Sequence, residues 1–358
     1  MKRAILYVLI LCLGFALCFG TACAEAPSAE ELNQAGKDAE AVRDYATALE
    51  KYQAAADEDY GPALTNVGRM YNNGFGVEKS NEKALEYYQR AADLDDAKGL
   101  CNLASMYIEG EGVAQDLDKA DEYIKRAEEI DPPVAWEAMA SRYFYGKGVE
   151  QDFDKALEYW QRAADGGLDK GYYGVAYMYG AGLGVERDFA KAREYYQKAA
   201  DLGYLDAMTV LGNMALAGEG GEQSYDEAMK YYLMAADRND PTGLYDVGMM
   251  YFAGYGVEQD PEKAQEYWLR AAEMGNTYAL DALGYMYAHG EGVEQDYEAA
   301  RDYFQQAADL GLTEALVDLG ALYANGNGVE QDTDKALEYF QQAADQNWPS
   351  AFLALGNL

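Results

Sequence analysis

An all-α, right-handed superhelical solenoid of helical hairpins is the fold this sequence predicts, and three regularities predict it. A Gly-x-Gly pair recurs every 36 residues, at Gly74/Gly76, Gly110/Gly112, Gly146/Gly148, Gly182/Gly184, Gly218/Gly220, Gly254/Gly256, Gly290/Gly292 and Gly326/Gly328. Eight residues after each second glycine stands an alanine, from Ala84 and Ala120 through to Ala336, with no insertion or deletion between blocks. Between these fixed points apolar residues fall at helical rather than alternating spacing. A period of this size marks hairpins that cannot bury their apolar faces alone and therefore stack into one continuous core.

The elements follow in chain order. Lys2 and Arg3 precede an apolar run from Ala4 to Phe19, and Ala22-Cys23-Ala24 has the layout of a cleavage site, so residues 1–24 read as a secretory signal peptide. Cys23 is also where a bacterial lipoprotein signal would be acylated, although Gly20 stands where such a signal usually has Leu. Retention of the run as an uncleaved anchor ranks third. Cleavage leaves no membrane insertion and places the repeats outside the cytoplasm, periplasmic or at the cell surface. Residues 25–60 lack the glycine loop and read as an N-terminal capping unit. Eight repeats cover 61–348, and 349–358 reads as a lone C-terminal capping helix.

Within a repeat, helix A presents Ala63, Leu64, Val67, Gly68, Met70 and Tyr71 to the core and stops at Asn73-Gly74, a glycine helix end. Helix B starts after Ser80, Asp116, Asp152, Asp188, Ser224, Asp260, Asp296 or Asp332, all residues whose side chains cap free N–H groups. It presents Ala84, Tyr87, Tyr88, Ala91 and Ala92. The position of Ala91 is alanine in every repeat and that of Gly68 always Gly or Ala, as close backbone approach requires. The positions of Tyr71 and Tyr87 absorb 15 of the 33 tyrosines, so the tyrosine content reads as packing. The position of Asp93 is acidic throughout although it lies where the helix dipole disfavours an anion; an Arg three residues earlier, as at Arg90, is the expected partner. In the repeat 205–240, Ala215 replaces the tyrosine and an extra Gly221 enters the loop, which reads either as a hinge or as drift. Hydrogen exchange over 213–224 faster than over 249–260 marks a hinge, and equal rates mark drift.

These residues resemble the Sel1-like repeat family, a relative of tetratricopeptide repeats. The stretch Ala279, Leu283, Gly284, Tyr287, Gly290, Gly292, Val293, Asp296, Tyr303, Ala307, Ala308 carries the pattern well, and the resemblance covers 61–348. Gly36, Ala48, Tyr52 and Ala55 have tetratricopeptide-like spacing instead. The resemblance implies protein–protein binding, with exported bacterial members acting as adaptors. One subgroup, with a cysteine pair in each repeat, is linked to penicillin binding and β-lactam hydrolysis. A cell-wall or β-lactam-acting enzyme is therefore the alternative, and this chain lacks those cysteines.

Composition narrows the partner. The net charge is −35, and loss of Lys2 and Arg3 with the leader makes it −37, so nucleic acid and anionic lipid are not expected partners. The charge is distributed through every repeat, which favours a solvated surface over steering toward a basic partner. Cys101 is the one cysteine beyond the leader and His289 the one histidine, so neither a disulfide framework nor a histidine metal cluster is expected. No phosphate loop, nucleophile elbow or calcium-loop spacing occurs, and no cofactor is expected. An acid pair of the glycosidase type stays open. The free side of helix A, opposite its core residues, is expected to line the concave surface. There the residues vary: Thr65, Arg69 and Asn72 in the first repeat, then Phe144, Tyr173, Tyr177, Leu216, Tyr245, Met249, Phe252 and Tyr285. These apolar groups are the candidate floor for a protein or peptide partner. The competing reading gives them packing duty against a neighbouring helix or loop.

Overall fold

The computed structural model describes residues 26–358; the leader expected over 1–24, Cys23 included, lies outside the described residues. Nineteen helices follow one another, and no strand occurs among the described residues. A first hairpin is formed by α1 (Ala29–Ala41) and α2 (Tyr45–Ala56). Eight hairpins follow: α3 (Gly61–Asn73) and α4 (Asn81–Asp93), α5 (Ala97–Glu109) and α6 (Leu117–Ile130), α7 (Pro132–Tyr145) and α8 (Phe153–Asp165), α9 (Asp169–Ala181) and α10 (Phe189–Asp201), α11 (Leu205–Ala217) and α12 (Tyr225–Ala236), α13 (Pro241–Ala253) and α14 (Pro261–Glu273), α15 (Thr277–His289) and α16 (Tyr297–Asp309), α17 (Thr313–Asn325) and α18 (Thr333–Asp345). The last helix, α19 (Pro349–Asn357), packs on α18 and α17. Each helix packs on the next in sequence, which makes the molecule an α-solenoid.

Local chemistry sets the hairpin boundaries. Every A helix, the odd-numbered ones from α3 to α17, ends on the first loop glycine in the left-handed conformation, as at Gly74 with φ 76°. At the start of every B helix the Ser or Asp side chain accepts a backbone N–H of the first turn, as Ser80 does from Lys83 and Asp332 from Lys335. The second loop glycine is a joint between repeats. A Cβ on Gly220 would lie 2.4 Å from the carbonyl oxygen of Phe189, the first residue of the preceding B helix.

Two close approaches repeat along the stack. Inside each hairpin a small residue of helix A meets a large side chain of helix B: a Cβ on Gly68, Gly212, Gly284 or Gly320 would lie 2.3–2.6 Å from the ring of Tyr88, Tyr232, Phe304 or Phe340. Between hairpins the invariant alanine of helix B meets the next A helix, where a Cβ on Gly99 or Gly243 would lie 2.6 Å from the Cβ of Ala91 or Ala235. Ala84, Ala91 and their equivalents are fully buried.

The recurrent tyrosines are packing residues, as expected, with Tyr71, Tyr107 and Tyr231 buried and most of the others at the rim of the core. In seven repeats the two rings stack on each other at 5.6–6.0 Å, as Tyr71 does on Tyr87, and Tyr87 and most of its equivalents are only half-buried. Lys83 lies 4.8 Å from the centroid of the Tyr71 ring, and Lys119, Lys155, Lys191, Lys263 and Lys335 repeat that contact. These pairs therefore seal the edge of the core; the position of Tyr88 fills its centre.

The acidic end of helix B also differs from expectation. Arg90 does not pair with Asp93; it reaches Asp59 in the preceding turn at 3.0 Å, and Arg126 likewise pairs with Asp95. Asp93 instead accepts from Gln89 at 3.0 Å, and Gln89 accepts from the Tyr123 hydroxyl of the next repeat at 3.3 Å. The same relay runs Tyr195–Gln161–Asp165, Tyr231–Gln197–Asp201 and Tyr339–Gln305–Asp309. An i,i+4 amide donor offsets the dipole at Asp309 and Asp345, in repeats that lack the arginine; Asp237, which follows Leu233, has no such donor.

In the repeat 205–240, Ala215 is fully buried and the loop keeps its turn, with Gln223 donating to the Leu216 carbonyl as Gln151 does to Phe144. The stack also curves back on itself: Arg43, in the α1–α2 turn, places Nη1 3.4 Å from where a Cβ on Gly275 would stand.

Trp268 is 1 % exposed, meets Gly248 along its indole edge and donates to the Tyr245 carbonyl at 3.1 Å. Trp268→Ala is expected to cost roughly 3–5 kcal/mol in denaturant unfolding. Hydrogen-exchange protection should fall in 241–276 and its two neighbours and hold in the first repeats; uniform loss along the chain would contradict nearest-neighbour stacking.

Candidate functional site

Curvature decides which side of the stack can hold a partner. Successive A helices pack on one another at several joints: α3 on α5, α5 on α7, α7 on α9, α11 on α13. No two B helices approach as closely among the described residues. The A helices therefore form the inner wall, and the candidate residues project from it.

The aromatic candidates gather in two groups that bridge neighbouring A helices. Phe144, at the end of α7, packs 5.2 Å from Trp160 and 5.5 Å from Phe153, and meets Tyr177 of α9 edge-on at 5.8 Å. Tyr177 remains 43 % exposed. On α13, Phe252 packs 5.2 Å from Trp268 and edge-on to Tyr285 of α15 at 6.3 Å, while Tyr245 lies 5.9 Å from Tyr278. Tyr285 is 43 % exposed and stacks on His289 at 4.1 Å. Tyr173 turns away, toward Tyr196 and Tyr204 at 5.3 and 4.9 Å. Leu216 and Met249 are half-buried against the core of α11–α14. These side chains thus pack between helices and still present surface to the groove.

The two ends of the wall differ in their polar chemistry. At the N-terminal end most polar groups of the wall satisfy one another, although Asn72 Oδ1 on α3 is buried and accepts no hydrogen bond. Arg69 donates to both Glu40 oxygens at 2.6 Å, Tyr52 donates to Glu40 at 2.8 Å, Asn66 to Asn33 at 2.9 Å, and Thr65 to Asp96 at 2.7 Å. Burial raises the Glu40 carboxyl, but the Arg69 hydrogen bonds and charge outweigh it and hold the group below its ordinary value. Thr65 and Arg69, read as free groove residues, are therefore engaged.

Toward the C-terminal end three acids lie in the wall without such partners. Burial pushes Asp246 up to about 7, with the Asp240 charge adding. Burial pushes Asp281 up to about 7, with Asp318 and Glu314 adding, and Asp318 up to about 6, with Glu314 adding and His289 opposing. Asp246 Oδ2 and Asp281 Oδ1 are buried and accept no hydrogen bond. Sequence reasoning missed these residues. Asp246 and Asp318 share the position of Asn66, Ala138, Gly174 and Val210, whose variability gives no pattern to follow.

The remaining candidates are quiet. Cys101 is half-buried, and desolvation pushes its thiol up to about 12, far from a reactive thiolate. His289 ends α15, exposed, with Nδ1 3.0 Å from the Tyr285 carbonyl oxygen. No group of three or more metal-ligating side chains gathers among the described residues, and no helix there is long and apolar enough to cross a membrane.

The repeat geometry and sequence together define a class: a helical-hairpin scaffold of the kind used in protein–protein interaction. The Sel1 repeat model matches eight times, at 61–96, 97–129, 137–168, 169–204, 205–240, 241–276, 277–312 and 313–348, and the chain belongs to the Sel1 repeat family. It is similar to a Sel1 repeat protein from Oxalobacter formigenes (28% identity, TM-score 0.61, 86% of this chain and 89% of that one). It is also similar to a protective antigen of uropathogenic Escherichia coli with an SLR fold (29% identity, TM-score 0.60, 86% of this chain), and spans 66% of that antigen's length. No curated protein matches the chain.

The buried acids give a signed pH dependence. Their folded values near 6 and 7 lie above an unfolded value of about 3.9, so the folded state binds more protons between these limits. Their contribution to stability is greatest below about pH 4, is lost as pH rises through about 7, and is level above that. Asp246→Asn/Asp281→Asn/Asp318→Asn should melt higher than the wild type near pH 8 and show a flatter melting profile from about pH 8 to about pH 5. Parallel profiles would refute the assignment.

Proposed function

We propose that the protein is an exported, non-enzymatic interaction module that binds a segment of another protein along the inner wall of its solenoid. The observation that carries this reading is the pair of aromatic groups, Phe144 with Tyr177 and Tyr245 with Phe252 and Tyr285, which bridge successive A helices and keep exposed surface on the wall. Rings partly fixed by packing lose little freedom when a partner covers them, which is how aromatic anchors contribute most to binding. The similarity to a protective antigen of uropathogenic Escherichia coli fits a surface-exposed role. The enzyme reading rests on per-repeat cysteine pairs that this sequence does not contain.

Export rests on the layout of residues 1–24. Expressed in a bacterium with its own leader, the protein should leave the cytoplasm and begin at Glu25 by mass spectrometry. A cytoplasmic chain that keeps Met1 would rule export out. For binding, Tyr173→Ala/Tyr177→Ala/Tyr245→Ala/Phe252→Ala should lose partners captured from envelope extract or host secretions by wild-type protein while its helical circular dichroism persists. Unchanged capture by the folded variant would move the binding surface off the inner wall.

A further inference from the structure

We propose that the inner wall from α9 to α17 takes a cationic segment of a partner protein, with one apolar side chain seated in the pocket beside Gly180 and lysine or arginine side chains over the acids of α11, α13, α15 and α17. The inference rests on the inner-wall reading above and names the partner's chemistry.

Cations are sorted by face, although net charge is spread along the chain. The four A helices α11, α13, α15 and α17 carry Asp206, Asp246, Asp281, Glu314 and Asp318 and not one lysine or arginine. The B helices that alternate with them each carry at least one: Lys230 in α12, Lys263 and Arg270 in α14, Arg301 in α16 and Lys335 in α18. The four A helices carry a net charge of −5 and the four B helices −6, so the acidic excess is shared by both faces, as expected; what sets the wall apart is that its acids have no cation on the same helices. None of the five acids joins an ion pair among the described residues.

Acids held beside one another in a partly buried wall repel, and an ammonium or guanidinium placed over them removes that repulsion. Tyr245, Tyr278 and Tyr285 add ring faces that attract the same cations. An acidic segment would meet unrelieved like charge and be rejected. The acids are strung along successive helices, three never converging on one point among the described residues, so they suit a chain bearing several cations rather than a metal ion.

The anchor comes from an independent feature. Gly180 stands at the position of Phe144, Leu216 and Phe252, and the missing side chain leaves an apolar pocket of about 260 Å³ lined by Tyr177, Phe189, Ala192, Tyr196, Val210 and Met214. A Cβ on Gly180 would meet only Ala192, at 3.6 Å, an ordinary contact, so packing does not require glycine there. The pocket opens at the start of the cation-free stretch of wall, next to Tyr177.

The test uses the full-length protein and fluorescence anisotropy with a labelled lysine-rich peptide carrying one phenylalanine. It should bind at least about tenfold tighter than the same peptide with glutamate for lysine, a difference of about 1.4 kcal/mol. Asp246→Asn/Asp281→Asn/Asp318→Asn should lose most of that preference. Glu86→Gln/Glu158→Gln/Glu266→Gln, an equal charge change on exposed B-helix positions when both are measured above about pH 8, where the wall acids are ionised, should keep it. Gly180→Phe, with unchanged melting temperature, should abolish the advantage of the phenylalanine peptide over its serine counterpart and retain the lysine preference. Equal losses in the two triple variants would reduce the effect to bulk charge and overturn the proposal. No lysine preference, while the four-aromatic variant still loses its captured partner, would overturn the partner chemistry and leave the inner-wall reading standing.

Discussion

The fit of a side-chain-free or one-carbon residue against a large ring governs this structure. Where Gly212 meets Tyr232 or Gly320 meets Phe340, the ring lies so close to the glycine Cα that no Cβ could stand between them. That distance fixes the spacing of the two helices in a hairpin. The invariant alanine of helix B sets the spacing to the next hairpin, and the second loop glycine sets the tilt by resting on the start of the preceding B helix. Each contact involves residues one repeat apart or less, so an error in one joint would be inherited by all that follow. A strict 36-residue period without insertions is the sequence's record of that constraint.

Once these joints are fixed, the outer elements need only seal and tie. The stacked tyrosine pairs with their lysines close the core edge against water, and the Tyr–Gln–Asp relays link successive B helices. Neither uses the free side of helix A. That side varies from repeat to repeat, and where it bridges neighbouring A helices it does so with different side chains. Its chemistry changes along the chain: satisfied polar pairs near α1–α3, aromatic bridges at α7–α9 and α13–α15, and unpaired acids from α11 to α17.

Fold and helix boundaries were legible because they depend on short-range rules. The glycine ends, the Ser and Asp caps and the small positions at Gly68 and Ala91 each act within one or two turns, and repetition multiplies the signal eightfold. The partner of Asp93 was misread for the opposite reason. Arg90 lies near it in sequence, but the arginine reaches back 31 residues to Asp59, a contact that only stacking creates. The packing duty of the tyrosines was legible from their recurrence, but not that the two rings of each repeat stack on each other at the rim. The acids of the wall stayed hidden because they do not recur; what identifies them is the absence of basic residues from four alternate helices, visible only once the helices are sorted by face. The pocket beside Gly180 is likewise a missing side chain, and its meaning depends on which neighbours surround the gap.

B helices and loops build the stack, and the A-helix wall is the partner surface proposed above. The most direct measurement is a hydrogen-exchange footprint of the captured partner on the intact protein. Added protection confined to the A helices between α7 and α17, with the B helices unchanged, is the predicted result. Protection concentrated on the B helices, or at the exposed Phe352 and Leu353 of α19, would contradict it.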